Sequence, residues 1–256
     1  MNTFLTTLQT RNKALYYFGW VNLIGAGLCI VPFLFTNTQV LGVHAWIKPF
    51  KFLLSTVIFS WSMGWYMFYL QEQKAVRAFN LVVILSLSFE LIYIIWQAAN
   101  GELSHFNIAT AFHGTMFSLM GLVISLMTIW TGYIAFLFWK NTFPQLPVAY
   151  VEGIRTGIVL FVLFAFAGGL MAARLSHTVG AAMDTVKGLP LLNWSRESGD
   201  LRIAHFFGMH ALQVLPLLGY YVFKTKRQII VAAVLYAVLA TALLIQALKA
   251  VPLIGL

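Results

Sequence analysis

The chain has 256 residues, of which 61% are hydrophobic, 16% aromatic and 9% charged. A soluble domain spends about a quarter of its residues on charge and about half on apolar types, so too little polar surface remains here to cover a globule. The net charge of +9 comes from sixteen Lys and Arg scattered between apolar runs, which is not the clustered basic face of a nucleic-acid binder. The composition excludes a soluble enzyme and a disordered regulator, and predicts an all-α, polytopic integral membrane protein.

Seven apolar runs are each long enough, at roughly 20 residues, to cross the hydrocarbon layer of a bilayer. They cover about 14–35, 46–70, 78–99, 108–138, 151–175, 203–223 and 228–249. The first run exceeds the roughly 7–15 residues of a signal-peptide core, so we expect a signal anchor. The sequence shows no repeat at a fixed period, and residues 1–256 are predicted to form a single seven-helix transmembrane domain.

The basic residues predict the orientation of these spans. With the N-terminus inside, nine of the sixteen Lys and Arg fall in inner loops and seven fall on the outer side. Cytoplasmic loops carry the excess of Lys and Arg in most membrane proteins. We therefore expect the N-terminus inside and the C-terminus outside.

All six histidines lie at the ends of spans that meet the predicted outer face. The second, fourth and sixth spans each begin there with a polar cluster, in segments 44–55, 102–113 and 199–213, and His177 follows the fifth span. The predicted inner face has Lys and Arg loops without histidine. Because ionisable residues at membrane depth are rare and mark functional sites, this segregation predicts a polar site near the extracytoplasmic face.

Depth distinguishes the members of this site. At 1.5 Å per residue, Lys51, His113 and His210 are expected roughly 8–11 Å below the outer interface, and Glu90 roughly 14 Å below it. Gln97 is seven residues from Glu90 and shares its face. A carboxylate at this depth costs about 3 kcal/mol or more unless it is paired. We therefore expect Glu90 to face the bundle interior and to pair with Lys51 or with a site histidine.

Three roles are predicted for the site residues. The predicted catalytic residues are Glu90, Lys51 and Asp200. The predicted cofactor ligands are His105, His113, His205 and His210, of which His105, His205 and His210 are also the predicted metal ligands. The predicted substrate-binding residues are Lys48, Gln97, Asn107, Arg202 and Gln213.

Each residue also has an ordinary structural interpretation. Lys48 and Lys51 are placed to extend their ammonium groups to the interface. Asn107 and Asp200 are well placed to cap helix N-termini, and Arg202 is placed to anchor a headgroup. His205 and His210 are five residues apart, about 140° around a helix, so they cannot chelate one ion as an i, i+4 pair would.

Four stretches of the sequence support a shared site, because they resemble a known family. Ser104-His105-Phe106-Asn107 and the string GDLRxxHFxGxHALQ over 199–213 resemble a family of bacterial multi-pass membrane proteins that has no assigned activity. The Lys48-Pro49-x-Lys51-Phe52 string and the segment from Glu90 through Gln97 to Gly101 resemble the same family. The resemblance spans most of the chain and implies a multi-pass protein of the bacterial inner (cytoplasmic) membrane. In that family the position of His113 is often acidic, which weighs against an essential ligand role for His113.

The favoured functional hypothesis is a redox protein that binds haem b or a divalent metal and exchanges electrons with quinone. Imidazoles that face each other across a helix bundle are the usual axial ligands of b-type haem. His210 has the right depth for this, together with His113 or His105.

Two other hypotheses stay open. One is a membrane-embedded zinc-dependent hydrolase or transferase acting on a lipid or on an extracytoplasmic substrate, with Glu90 or Asp200 as base. The other is a proton-coupled transporter or receptor for a small anionic ligand, with Glu90 as the proton carrier. The expected surroundings are the lipid bilayer, and nucleic acid is not an expected partner. The sequence leaves open whether the protein is an enzyme, and its oligomeric state.

Overall fold

The structure is a computed structural model that describes residues 2–183 and 187–255. It is mostly helical, and the predicted all-α class is confirmed. The helices are α1 (Asn2–Arg11), α2 (Lys13–Phe35), α3 (Ile47–Tyr66), α4 (Gln73–Asn100), α5 (Ala111–Lys140), α6 (Val148–Ala167), α7 (Gly169–Arg174), α8 (Leu201–Tyr221) and α9 (Lys226–Leu248). Two short antiparallel pairings join β1 (Gln39–Val40) to β2 (Val43–His44) and β3 (Thr178–Val179) to β4 (Gly199–Asp200).

Within the described residues, six stretches of helix are long and apolar enough to cross a membrane. They are α2, α4, α5, α6 with α7, α8 and α9. The helix that corresponds to the second predicted span is α3, which is not among the six. Lys48, Lys51 and several Ser and Trp residues lower its mean hydropathy. Six such helices are compatible with a multi-pass membrane protein, and the helices coincide with the predicted spans to within about a turn.

The chain forms two compact units, unit 1 (residues 1–127) and unit 2 (residues 128–256). In unit 1, α2 and α4 both pack on α3, and Leu53 of α3 lies in one apolar cluster with Leu91 of α4. In unit 2, α6 and α9 both pack on α8, around a core that includes Phe164 and Leu215. The single seven-helix domain stays a prediction.

Several helices present large apolar side chains to their surroundings. Val21, Leu28 and Phe35 of α2 are exposed, as are Leu235 and Val238 of α9. Helices that are apolar all round are typical of membrane spans or of the core of a large protein. This pattern agrees with the composition, which leaves too few polar residues to cover the surface.

Helices α6 and α8 approach each other at small residues. A Cβ atom built at Gly153 would lie 2.6 Å from the carbonyl oxygen of Leu215, and one at Gly157 would lie 2.8 Å from that of Ala211. Both neighbours are backbone atoms, which cannot move aside as a flexible side chain can. The Gly153-x-x-x-Gly157 spacing is the small-residue pattern that permits such close helix packing.

Replacing Gly153 with Ala is expected to destabilise unit 2, even though Ala favours a helix over Gly by about 1 kcal/mol. The added methyl group must push α8 away, and overpacking of this kind costs about 1–3 kcal/mol. Thermal unfolding in detergent measures the change. The matched control is Gly27→Ala in α2, where a Cβ atom would meet no described atom within 4 Å. A Gly153→Ala variant as stable as the Gly27→Ala variant would contradict the packing argument.

Candidate functional site

The predicted site residues fall into two groups, one in each unit. Unit 1 contains Lys48, Lys51, Glu90, Gln97, His105, Asn107 and His113, and unit 2 contains Asp200, Arg202, His205, His210 and Gln213. The two groups have different surroundings, and we describe each by itself.

Glu90 is buried on α4, and its partner is a histidine in the loop that follows. Its Oε1 lies 3.4 Å from Nε2 of His105, so the predicted pairing of Glu90 with a site histidine is confirmed. On the other side of the ring, Nδ1 of His105 lies 3.1 Å from the hydroxyl oxygen of Ser104. With the hydroxyl donating to Nδ1, the Nε2–H group of a neutral imidazole points at the carboxylate.

The surroundings of His105 favour its neutral form. Desolvation lowers the pKa of the His105 imidazole, the positive charge of Lys48 lowers it further, and Glu90 opposes both effects. The ammonium nitrogen of Lys48 lies 5.9 Å from the ring centre of Phe52, and that ring lies 5.5 Å from the ring of His105. His105 therefore has a carboxylate in contact and a cation within electrostatic range.

A second carboxylate–histidine pair lies close by. Nε2 of His113 lies 3.1 Å from Oε2 of Glu102, and Nδ1 lies 3.1 Å from the hydroxyl of Tyr93 and 3.4 Å from Nε2 of Gln97. Both ring nitrogens of His113 therefore face protein groups, which suits a proton relay better than a cofactor ligand. No role was predicted for Glu102 or Tyr93. The available signal was that Glu102 begins the polar cluster 102–113.

Gln97 lies near both members of the second pair through its amide nitrogen. Its Nε2 donates to the carbonyl oxygen of Leu103 at 2.8 Å and lies 3.4 Å from Oε2 of Glu102. Its Oε1 is buried and has no hydrogen-bond partner within the described part of the chain. A buried acceptor without a donor costs about 1–3 kcal/mol. This oxygen is therefore a good contact for a donor group of a ligand or a water molecule.

Asn107 shapes the loop between α4 and α5. Its Nδ2 donates to the carbonyl oxygen of Leu103 at 3.2 Å, and its Oδ1 accepts from the backbone N–H of Ala109 at 3.1 Å. The N-cap interpretation of Asn107 is wrong, because Thr110 Oγ1 accepts from the backbone N–H of His113 at the start of α5. These contacts fit a structural role for Asn107, and its substrate-binding role stays a prediction.

In unit 2, Asp200 fixes the loop that precedes α8. Its carboxylate accepts from the Arg202 side chain at 2.6–3.2 Å and from the backbone N–H of Ser195 at 2.9 Å. It also accepts from the backbone N–H of Arg202 at 3.0 Å, so the N-cap interpretation is confirmed. Burial alone would raise the pKa of the Asp200 carboxyl, but Arg202, His177 and Ser195 hold this pKa below its ordinary value. Asp200 and Arg202 thus form a structural ion pair.

The two histidines of α8 have different partners. Nδ1 of His205 lies 2.7 Å from the carbonyl oxygen of Phe164 near the end of α6. Nδ1 of His210 lies 3.3 Å from Oε1 of Gln213. Their separation of five residues on one helix leaves them about 140° apart. Across residues 2–183 and 187–255, no group of three or more His, Cys, Asp or Glu side chains is arranged to hold a metal ion.

The remaining histidines take part in loop structure. Nε2 of His44 lies 2.8 Å from the carbonyl oxygen of Thr36, beside the β1–β2 pairing. Nδ1 of His177 lies 3.8 Å from Oδ1 of Asp200, beside the β3–β4 pairing. Both positions suit residues that organise the ends of helices.

No known protein family, curated protein or solved structure matches this chain. The fold and the site define an apolar helical protein with two buried or half-buried carboxylate–histidine pairs in unit 1. Its function must be inferred from these contacts.

Two substitutions are expected to move the pKa of His105 in opposite directions. Glu90→Gln removes a charge that raises this pKa, so the pKa falls. Lys48→Met removes a charge that lowers it, so the pKa rises. Titration of histidine NMR signals, with His105 assigned through His105→Asn, measures both shifts.

The matched control for these shifts is Lys74→Met, which removes an exposed lysine from the first turn of α4. It is expected to leave the His105 titration unchanged. Shifts of the same sign in Glu90→Gln and Lys48→Met would contradict the described contacts.

Proposed function

We propose that the protein is a proton-coupled transporter of a small anion, with its proton site at Glu90, His105, Glu102 and His113. The observation that carries this proposal is the presence of two carboxylate–histidine contacts in unit 1, at 3.4 and 3.1 Å. Ionisable side chains within apolar helices are costly, and in membrane proteins they mark ion pathways and proton relays.

The charges around this site explain why an anion would accompany the proton. Beside a neutral His105, the formal charges of Lys48 and Glu90 cancel. An added proton makes the group positive, and a positive group of low hydration attracts an anion. Binding of the anion then favours binding of the proton by the same factor, because coupling between two sites is reciprocal.

The proposal includes a topology of seven spans with the N-terminus inside and the C-terminus outside, in the bacterial inner membrane. Supporting it, α3 has 20 residues, about 30 Å at 1.5 Å per residue, and packs on both α2 and α4. The nine-to-seven distribution of Lys and Arg and the family resemblance support the orientation and the membrane. In this topology the proton site faces the extracytoplasmic side.

Transport into proteoliposomes tests the proposal. The probes are radiolabelled lactate, succinate and inorganic phosphate, each offered with and without an inward proton gradient. We expect the gradient to drive uptake of at least one probe, and Glu90→Gln to lower that uptake at least tenfold. The matched control is Glu197→Gln, an exposed carboxylate of unit 2, which should transport normally. Failure of all three probes, or unchanged uptake in Glu90→Gln, would contradict the proposal.

One observation favours a second candidate, the haem- or metal-binding redox protein. Histidines that bind metals usually point their other ring nitrogen at a carbonyl or carboxylate oxygen, and Nδ1 of His205 faces the carbonyl oxygen of Phe164. His205 and His210 would then bind separate partners. The zinc-dependent hydrolase or transferase has no such supporting contact and stays a prediction.

An absorption spectrum with metal analysis on detergent-purified protein tests this second candidate. A Soret band or a stoichiometric metal that is lost in His205→Ala and retained in His44→Ala would support it. Purified protein with neither a Soret band nor a stoichiometric metal would rule it out.

A further inference from the structure

We propose that unit 1 contains a hydrated path of buried polar side chains that carries protons from Glu90 along α4 toward its N-terminal end. The path rests on the proposed proton site and adds the route by which a proton leaves that site for the far side. Its polar members are Gln97, Glu90, Ser86, Thr56, Ser60 and Asn80, all of which are buried.

One face of α4 supplies the first half of the path. Ser86 precedes Glu90 by four residues and Gln97 by eleven, so the three lie within about 40° around the helix at 3.6 residues per turn. All three side chains are buried inside unit 1. The rest of α4 is mostly apolar, and its surroundings are lipid or packed apolar side chains. A buried row of polar side chains is unusual in such a helix.

Helix α3 supplies the second half of the path. Thr56 and Ser60 are one turn apart on α3, and their exposed fractions are 5% and 0%. The neighbouring buried positions on this helix are apolar, among them Leu53 and Val57. Two hydroxyl groups therefore occupy positions at which packing alone would favour apolar side chains.

Packing between α3 and α4 indicates which hydroxyl groups lie near each other. Leu53 shares an apolar cluster with Leu91, and the ring of Phe59 lies 6.5 Å from that of Phe79. The two helices are antiparallel, so Thr56, midway between Leu53 and Phe59, is expected near the middle of the segment from Phe79 to Leu91, where Ser86 lies. Ser60 and Asn80 each directly follow a member of the Phe59–Phe79 ring pair.

The Ser60 hydroxyl lacks the partner that helical serines normally have. Serine in a helix commonly donates to the carbonyl oxygen four residues earlier, as Ser118 and Ser125 do in α5 at 2.9 and 2.7 Å. Ser60 Oγ is buried and has no hydrogen-bond partner in the part of the chain that the structure describes. Gln97 Oε1, at the other end of the path, is likewise buried without a hydrogen-bond partner among the described residues. Buried polar atoms without a protein partner are typically satisfied by ordered water.

The path is nearly as long as the hydrocarbon core of a bilayer is thick. Asn80 and Gln97 are 17 residues apart, or about 26 Å along α4, against roughly 30 Å for the hydrocarbon core of a bilayer. At the Asn80 end, the side-chain amides of Asn80 and Asn12 donate to each other's oxygen at 3.1 Å in both directions. This amide pair lies at the far end of the path, near the start of α2.

Proton passage along such a path needs no chemical change in the protein. Each hydroxyl group or water accepts a proton on an oxygen lone pair and gives its own proton to the next oxygen, and water beside the Asn12–Asn80 pair takes up the last proton. No covalent bond of the chain forms or breaks other than O–H bonds, and each group ends with the atoms with which it began. Glu90 supplies the proton and is left as the carboxylate, ready to accept the next one.

Cysteine labelling tests whether the path is hydrated. The single native cysteine, Cys29, is first changed to Ser, and Ser60→Cys and Ser86→Cys are then made in that background. A small charged methanethiosulfonate reagent labels only thiols that reach water. We expect both thiols to react at least tenfold faster than the matched controls Val57→Cys and Val83→Cys, which are buried on the same two helices. Equal, slow labelling of all four, with the exposed Asn37→Cys reacting fast, would overturn the path.

Proton flux gives a second and independent readout. In proteoliposomes with a potassium diffusion potential and an internal pH dye, Ser60→Ala combined with Thr56→Val is expected to lower proton flux at least tenfold. Ser118→Ala combined with Ser125→Ala on α5 should leave the flux unchanged. Unchanged flux in the α3 variant would refute the path. The proposed proton site fails separately, if Glu90→Gln leaves gradient-driven anion uptake unchanged.

Discussion

The contact between Glu90 and His105 is the interaction on which the arrangement of unit 1 depends. A carboxylate on a buried helix face costs about 3 kcal/mol or more without a partner, so the chain beyond α4 must return a polar group to it. Gly101, at φ +69, ends α4 with the left-handed turn that makes this return possible. Gln97 then holds the loop through the carbonyl of Leu103, and the imidazole of His105 reaches the carboxylate.

Unit 2 uses its polar residues differently. The carboxylate of Asp200 is saturated by Arg202 and the Ser195 backbone, so its charge serves to fix the loop and to begin α8. Gly153 and Gly157 let α6 approach the backbone of α8 directly. Similar polar clusters in the sequence thus serve proton chemistry in the proposal for unit 1 and helix positioning in unit 2.

The sequence predicts the helices well because one physical constraint sets their length. A span must cover the hydrocarbon layer, so apolar runs mark α2 and α4 to α9 to within about a turn. The burial of Glu90 followed from the same reasoning. Its contact with His105 in particular did not, because the conformation of the loop 101–110 decides which histidine reaches the carboxylate. The contact of Tyr93 with His113 could not be predicted either, because a tyrosine within an apolar helix does not by itself indicate a site.

The position of Lys48 links the proton and the anion in the proposed cycle. Its charge is one reason that the pKa of His105 lies below the ordinary value. An anion that binds beside Lys48 would offset this charge, and the proton affinity of His105 would rise. When His105 then loses its proton toward the far side, the positive charge at the site falls by one. The affinity for the anion would fall with it. In the proposed cycle, one lysine near one histidine thus supplies the coupling between the proton and the anion.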